Sequence, residues 1–143
     1  MIFSFGHSEQ ERIEVDVQGY ERAPSGEYWD DNWLNIEVRV RVGGFQGKAT
    51  ASIITSELAK FASELRPHYE TLSGVAEFAT LEQQLSLRLS GDGNGHIELR
   101  GEVVDGAGMK NRLHFTLQFD QSELKASIHE IDKVISLFPS RST

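Results

Sequence analysis

The feature that most constrains this 143-residue sequence is the alternation of apolar and polar residues along its extended segments. In residues 33–42 every second residue from Leu34 to Val42 is apolar, and the residues between them are polar or charged. This period of two is typical of a β-strand with one face in the core and the other in water. Strands that are buried on both faces have continuous apolar runs, so the pattern favours a mainly antiparallel sheet.

Other segments show the same pattern. Further strands are predicted around Ile13 and in residues 45–54, 75–81, 85–89, 96–103 and 113–119. Gly43-Gly44 supplies the positive φ angles of a two-residue hairpin turn. The strand after this turn has Gly47, Ala49 and Ala51 on one face. These small side chains predict that another element approaches the backbone closely there.

Two segments have apolar residues at helical spacing. The first helix begins near Ser56, and Pro67 should kink it or end it near Arg66. Its apolar stripe consists of Leu58, Phe61, Leu65 and Leu72. The second helix follows Asp120, the expected N-cap, and ends before Pro139. We therefore predict an α+β fold, with a mainly antiparallel sheet of about six to seven strands and two helices packed on one face.

The length predicts a single domain over residues 1–143, with a folded core at residues 10–138 and a frayed tail at residues 139–143. Within it, a hairpin followed by Ser56-Glu57-Leu58 and a helix is echoed by a hairpin followed by Ser122-Glu123-Leu124 and a helix. An old duplication would leave such an echo, although the chemistry of helix starts alone also favours Ser and Glu at these positions.

The composition of the chain limits the cellular compartment and the class of partner that we expect. The chain has no cysteine, no signal-peptide pattern at its start and no apolar run long enough to span a membrane, so we expect a cytoplasmic protein. Its net charge of −8 argues against a nucleic acid held by its phosphates. It would suit a basic protein partner, although solubility alone also explains an acidic balance.

Two regions offer residues for binding a partner. One is the polar loop before residue 33, with Tyr28, Trp29, Asp30 and Asp31, because aromatic residues dominate interface hot spots. The alternative, which we favour, is that Trp29 or Trp33 folds back onto the core. The other region is the open, charged face of the sheet. Its candidate partner-binding residues are Glu37, Arg39, His96, Glu98 and Arg100.

Candidate metal and catalytic motifs are weak. The segment Asp92-Gly93-Asn94-Gly95-His96 resembles the middle of a calcium loop, but aligning Gly95 to the sixth position leaves Ser90 and Gly101 where carboxylates are required. A hairpin turn explains the same residues. His96 and His114 could be neighbours on the open face, but no third ligand is apparent, so we favour two surface histidines. We predict no catalytic residue, no metal site and no cofactor.

A set of spaced elements carries a family resemblance. Its members are Trp33-Leu34, Gly43-Gly44-Phe45, Gly47, Thr55, Glu57-Leu58, Phe61, Tyr69-Glu70, Leu72-Ser73-Gly74, Gly91-Asp92-Gly93, Gly95-His96, Gly101-Glu102, Asn111-Arg112-Leu113 and Asp120-Gln121. In order and spacing, this set resembles the WapI-type immunity proteins of bacteria over residues 33–138.

The resemblance implies a non-enzymatic, cytoplasmic immunity protein that binds and neutralises the C-terminal domain of a cognate polymorphic toxin. Such toxins are frequently nucleases, whose nucleic-acid surfaces are basic. The alternative is a binding module for a small molecule or a protein, with a pocket between the sheet and the helices and no immunity role. An enzyme that uses His96, His114 and nearby carboxylates ranks last.

Overall fold

A computed structural model describes residues 1–71, 73–105 and 111–141, which form two antiparallel sheets and three helices. Sheet A consists, in spatial order, of β1 (Ile2–Ser8), β2 (Glu11–Tyr20), β3 (Trp33–Val42) and β4 (Phe45–Ile54). Sheet B consists of β5 (Ser73–Ala79), β6 (Leu85–Asp92), β7 (His96–Val104) and β8 (Arg112–Asp120). The helices are α1 (Tyr28–Asp31), α2 (Thr55–Thr71) and α3 (Gln121–Leu137).

The predicted α+β class and antiparallel pairing are confirmed, with two sheets of four strands in place of one sheet of six to seven. The sheets separate because α2 intervenes between β4 and β5, so that β5 pairs with β6 and begins a second sheet. No helix in the described part of the chain is long and apolar enough to cross a membrane.

The chain repeats one arrangement twice, four antiparallel strands followed by a helix of 17 residues. Strands β1–β4 lead into α2, and strands β5–β8 lead into α3. Ser56-Glu57-Leu58 and Ser122-Glu123-Leu124 occupy the same positions at the starts of the two helices. The short echo in the sequence therefore belongs to a repeat of the whole four-strand and helix unit.

Both units contribute to one hydrophobic core. The ring of Phe5 on β1 lies 6.1 Å from that of Phe61 on α2 and stacks on Phe119 of β8 at 6.2 Å. Phe61 also contacts Phe78 of β5, with ring centroids 5.2 Å apart. Such aromatic pairs stabilise a core beyond the area that they bury. These rings occupy space between the sheets and the helices. The alternative function, a binding module, would place its ligand pocket there.

The predicted close approach to the small residues of β4 is confirmed. A Cβ atom at Gly47 would lie 3.2 Å from Cδ2 of Leu113 on β8, which is tighter than ordinary packing. Ala49 is buried in the same core. The element that approaches β4 is therefore a strand of sheet B.

Each long helix covers the free edge of the first strand of a sheet. In sheet A, Glu130 Oε1 of α3 accepts hydrogen bonds from the backbone N–H and the hydroxyl of Ser4, at 3.1 and 3.2 Å, and the hydroxyl of Ser127 donates to the Ser4 carbonyl. In sheet B, Glu64 of α2 accepts a hydrogen bond of 3.2 Å from the Glu77 N–H. Glu64 and Glu130 both occupy the tenth position of their helices. Covering an edge protects it from pairing with another strand.

Some local features differ from the sequence-based expectations. β1 lies ahead of the predicted core at residues 10–138, and its Phe3 and Phe5 are fully buried.

α2 continues through Pro67 to Thr71 rather than ending near Arg66. Pro67 has no N–H to donate to the backbone carbonyl four residues earlier in the helix. Because Pro67 is exposed, water can solvate that carbonyl instead. Asp120 occupies the N-cap position of α3 as predicted, without a side-chain capping hydrogen bond. Leu72 lies outside the described residues.

Candidate partner-binding surfaces

The predicted contact residues lie on three separate surfaces. Glu37 and Arg39 lie on β3, on the solvent side of sheet A, which we call face A. His96, Glu98 and Arg100 lie on β7, on the solvent side of sheet B, which we call face B. The remaining candidates, Tyr28, Trp29, Asp30 and Asp31, form α1. The single open sheet face that the sequence indicated is therefore two faces, because β3 and β7 belong to different sheets.

Arg39 lies at the centre of face A and contacts three carboxylates. Its guanidinium lies 2.7 Å from Glu37, 3.3 Å from Glu14 and 3.7 Å from Asp16. The hydrogen bond to Glu37, followed by the bond to Glu14 and the neighbouring charges, raises the pKa of Arg39 above its usual range despite partial burial. Arg39 therefore acts as an internal counter-ion for the acidic side chains of β2 and β3.

An open groove of about 580 Å³ lies beside Arg39 on face A. Its charged lining consists of Glu9, Arg12, Glu14, Arg39, Arg41 and Lys48. Arg12 and Arg41 lie directly opposite each other on β2 and β3. Cations thus gather at this end of face A, although the whole chain carries a net charge of −8.

Face B contains a counterpart of the Arg39 arrangement. Arg100 Nε lies 2.7 Å from Oε1 of Glu98, two residues earlier, as Arg39 lies 2.7 Å from Glu37. Both Glu-X-Arg segments lie on the third strand of a four-strand unit. The side chain of Arg100 is 74% exposed, and Glu98 is its one carboxylate neighbour within the described chain.

His96 and His114, for which the sequence left a paired arrangement open and favoured two separate surface histidines, are far apart. His96 is paired with Asp120 at one end of β7, whereas His114 is paired with Glu102 near the other end. Six residues of strand separate these positions, a distance of about 20 Å. His96 Nε2 lies 3.1 Å from Gln118 Oε1 instead. Strand register, which the alternation of residues does not define, is the reason for the separation.

The carboxylate of Asp92 binds its own turn. Asp92 Oδ1 accepts hydrogen bonds from the backbone N–H groups of Asn94, at 2.7 Å, and His96, at 3.1 Å. These bonds, that of Asn94 first, hold the pKa of Asp92 below its usual range. Gly93 and Gly95 have φ angles of +84° and +94°. The predicted hairpin turn between β6 and β7 is confirmed. Among the described residues, no group of three or more His, Asp and Glu side chains is placed to hold a metal ion.

The third surface is the loop formed by residues 25–32, which we call the Trp29 loop. Trp29 is 65% exposed, and its ring contacts that of Tyr28 edge to face, with centroids 5.5 Å apart. Trp33, at the start of β3, is half-buried. Neither tryptophan lies in the hydrophobic core: Trp33 is half-buried and Trp29 stands in solvent.

The side chain of Asp31 stabilises the conformation of the Trp29 loop by accepting hydrogen bonds from its first residues. The carboxylate accepts hydrogen bonds from the hydroxyl of Ser25 at 2.7 Å, the Ser25 N–H at 2.9 Å and the Gly26 N–H at 2.9 Å. The Ser25 hydroxyl makes the largest contribution, and together these bonds lower the pKa of Asp31 although burial opposes them. Because Asp31 is only 3% exposed, it positions the loop and offers little surface of its own to a partner.

Asn32 connects the Trp29 loop to the C-terminal tail. Its buried amide donates to the carbonyls of Tyr28, at 2.7 Å, and Arg141, at 2.9 Å, and its oxygen accepts from the Arg141 N–H at 2.6 Å. The Arg141 guanidinium lies 3.5 Å from the centre of the Tyr20 ring. Arg141, in the tail that we expected to fray, is therefore fastened to the loop and gives the buried amide of Asn32 the partners that it requires. Sequence reasoning missed this contact because it joins positions 109 residues apart.

The fold has counterparts among solved structures. The crystal structures of Trypanosoma bruciei MRP1/MRP2 match 95% of this chain and 84% of that chain, with a TM-score of 0.52 and 10% identity. WHY1 from Arabidopsis thaliana matches 96% of this chain and 90% of that chain, with a TM-score of 0.51 and 12% identity. At these identities the likeness concerns the fold alone. A comparison with curated proteins gave no match.

The family is shown by a sequence model. The model of the Immunity protein WapI-like family matches residues 3–139, nearly the whole chain, and the chain belongs to that family. The resemblance carried by residues 33–138 is confirmed, and the match extends toward the N-terminus to include β1 and β2. Membership supports an immunity role in general, which implies binding a toxin partner.

Proposed function

We propose that this chain is a cytoplasmic immunity protein that binds the toxin domain of a cognate polymorphic toxin and neutralises it by covering its surface. The observation that carries this proposal is the family match over residues 3–139. The net charge of −8 supports a toxin domain with a basic surface, because complementary fields speed encounter and suppress wrong partners.

The arrangement of side chains supports action by binding rather than by catalysis. The carboxylates of Asp31 and Asp92 are occupied by hydrogen bonds within their own loops. Arg39 is surrounded by carboxylates of its own sheet, and His96 and His114 are far apart. A general acid or base must lie within hydrogen-bond reach of the group it serves. His114 Nδ1 lies 3.6 Å from Glu102 Oε2 on face B, outside that reach, and the His114 side chain is 71% exposed.

Co-expression tests the proposed function. Cells that produce the toxin domain encoded beside this chain should grow when the chain is co-produced. The matched control is Leu117→Asp, which places a charge in the core and should abolish both folding and rescue, because Leu117 is buried. Lys125→Ser, which changes an exposed residue of α3 outside the three candidate surfaces, should retain rescue. Continued growth arrest with the folded, unsubstituted chain would contradict the proposal.

A further inference from the structure

We propose that the Trp29 loop is the docking element of this immunity protein, and that Trp29 enters an apolar pocket surrounded by Lys and Arg residues on the toxin domain. This inference rests on the function proposed above and assigns it to one of the three candidate surfaces. The exposure of Trp29, the rigidity of its loop and the charge around it carry the inference together.

The exposure of Trp29 supports its role in docking. Trp29 is 65% exposed, whereas Trp33, four residues later, is half-buried. Tyr28, which is half-buried, contacts the ring edge to face and so connects the exposed ring to the fold. Trp and Tyr are enriched among the few residues that dominate binding energy, because they bury a large area in a pocket.

The rigidity of the loop supports the same role. Asp31 binds Ser25 and Gly26, which fixes the start of the Trp29 loop relative to its end. Asn32 binds both Tyr28 and Arg141, which fixes α1 to the C-terminal tail. A loop that is already ordered loses little conformational freedom on binding, so more of the contact energy appears as affinity.

Acidic residues near the ring of Trp29 indicate the charge of its partner. Residues 25–32 contain Glu27, Asp30 and Asp31 and contain no Lys or Arg. The side chain of Asp30 is 56% exposed, and its one cationic neighbour within the described chain is Arg22, at 4.0 Å. Glu27 is exposed as well. An acidic rim around an apolar anchor fits a pocket with basic edges, which is the partner chemistry that the net charge also favours.

A second exposed aromatic residue lies far from the Trp29 loop and offers a comparison with it. Phe45, at the hairpin between β3 and β4, is 70% exposed. The ten residues of β3 separate it from the Trp29 loop by about 30 Å. Arg41 and Lys48, the nearby charged residues of these two strands, are cations. Phe45 therefore has the exposure of Trp29 without its acidic surroundings and serves as the matched control.

Isothermal calorimetry with the purified toxin domain encoded beside this chain tests the inference. Trp29→Ala should weaken binding at least about tenfold, the loss typical of a hot-spot residue. Phe45→Ala should bind as the unsubstituted chain does. Both variants should keep the melting temperature of the unsubstituted chain, because neither ring is buried.

The acidic rim is tested with Glu27→Gln and Asp30→Asn. Together they should slow association and make the rate less dependent on salt, because exposed charges act mainly on encounter.

The outcomes separate this inference from the function on which it rests. Loss of affinity in Trp29→Ala alone supports the Trp29 loop. Full affinity in Trp29→Ala, with the unsubstituted chain binding normally, would overturn the docking surface and leave the immunity function standing. Equal losses in Trp29→Ala and Phe45→Ala would overturn it too. Absence of binding by the unsubstituted chain would overturn both.

Discussion

The carboxylate of Asp31 and the ring of Trp29 lie two residues apart and have opposite environments. Asp31 is buried against Ser25 and Gly26, whereas Trp29 stands in solvent. The sequence predicted both as contact residues because both lie in one polar loop. Their different roles follow from hydrogen bonds that the alternation and composition of the sequence do not encode.

The lowered pKa of Asp31 predicts a pH dependence of stability. Its folded pKa lies below its unfolded value of about 3.9, so its hydrogen bonds stabilise the fold above that pH, and the stabilisation is lost as pH falls through the folded pKa. Asp31→Asn should lower the melting temperature at neutral pH. The difference from the unsubstituted chain should shrink as the pH falls below the unfolded value of about 3.9. Thermal unfolding followed by circular dichroism measures it, and a difference that persists in acid would contradict this role.

Arg39 and Arg100 form a matched pair for testing the charge network of face A. Arg39→Ser leaves Glu14, Asp16 and Glu37 without their shared cation, whereas Arg100→Ser removes one exposed contact with Glu98. We expect Arg39→Ser to lower the free energy of unfolding by up to about 1 kcal/mol, and Arg100→Ser to lower it less.

Urea unfolding measures both variants. High salt should narrow their difference, because it screens the repulsion among the remaining carboxylates. Equal free energies of unfolding for the two variants at low salt would show that Arg39 is not a shared counter-ion.

At the scale of elements, the helices close the edges of the sheets with a glutamate in equivalent positions. Ser4, the partner of Glu130, is buried, whereas Glu77, the partner of Glu64, is exposed. Glu130→Ala should cost about 1–3 kcal/mol, because the Ser4 N–H loses its partner away from water. Glu64→Ala should cost less, because water can replace the lost hydrogen bond. Urea unfolding of both variants tests this difference, and equal losses would contradict the edge-covering role of α3.

Sequence periodicity predicted the elements that have several alternating residues and missed those defined by distant contacts. The strands around Val38, Leu87 and Leu117 were predicted because their apolar residues recur with a period of two. β1 was missed because, among its described side chains, Phe3 and Phe5 are the large apolar ones that are buried, and two residues are too few to establish a pattern. The division into two sheets was missed because it depends on which strands pair, and strands with similar alternation do not distinguish their partners.

At the scale of the molecule, the two units share one core and leave three surfaces open to a partner. The family was predictable from spaced glycines and helix starts, such as Gly43-Gly44 and Thr55, because turns and caps restrict residue choice locally. The candidate site was predictable only as a set of residues. Its division among face A, face B and the Trp29 loop depends on the pairing of β3 and β7 with their neighbours and on the fastening of Asn32 to Arg141.

If this chain neutralises a toxin domain by covering its surface, as we propose, the two proteins form a stoichiometric complex. The most direct measurement is a titration of the purified chain into the toxin domain encoded beside it, with the toxin's own activity and the mass of the complex followed together. We expect the toxin's activity to fall linearly and to vanish at one equivalent, as a complex of one copy of each protein forms. Full toxin activity in excess of this chain, with no complex formed, would contradict it.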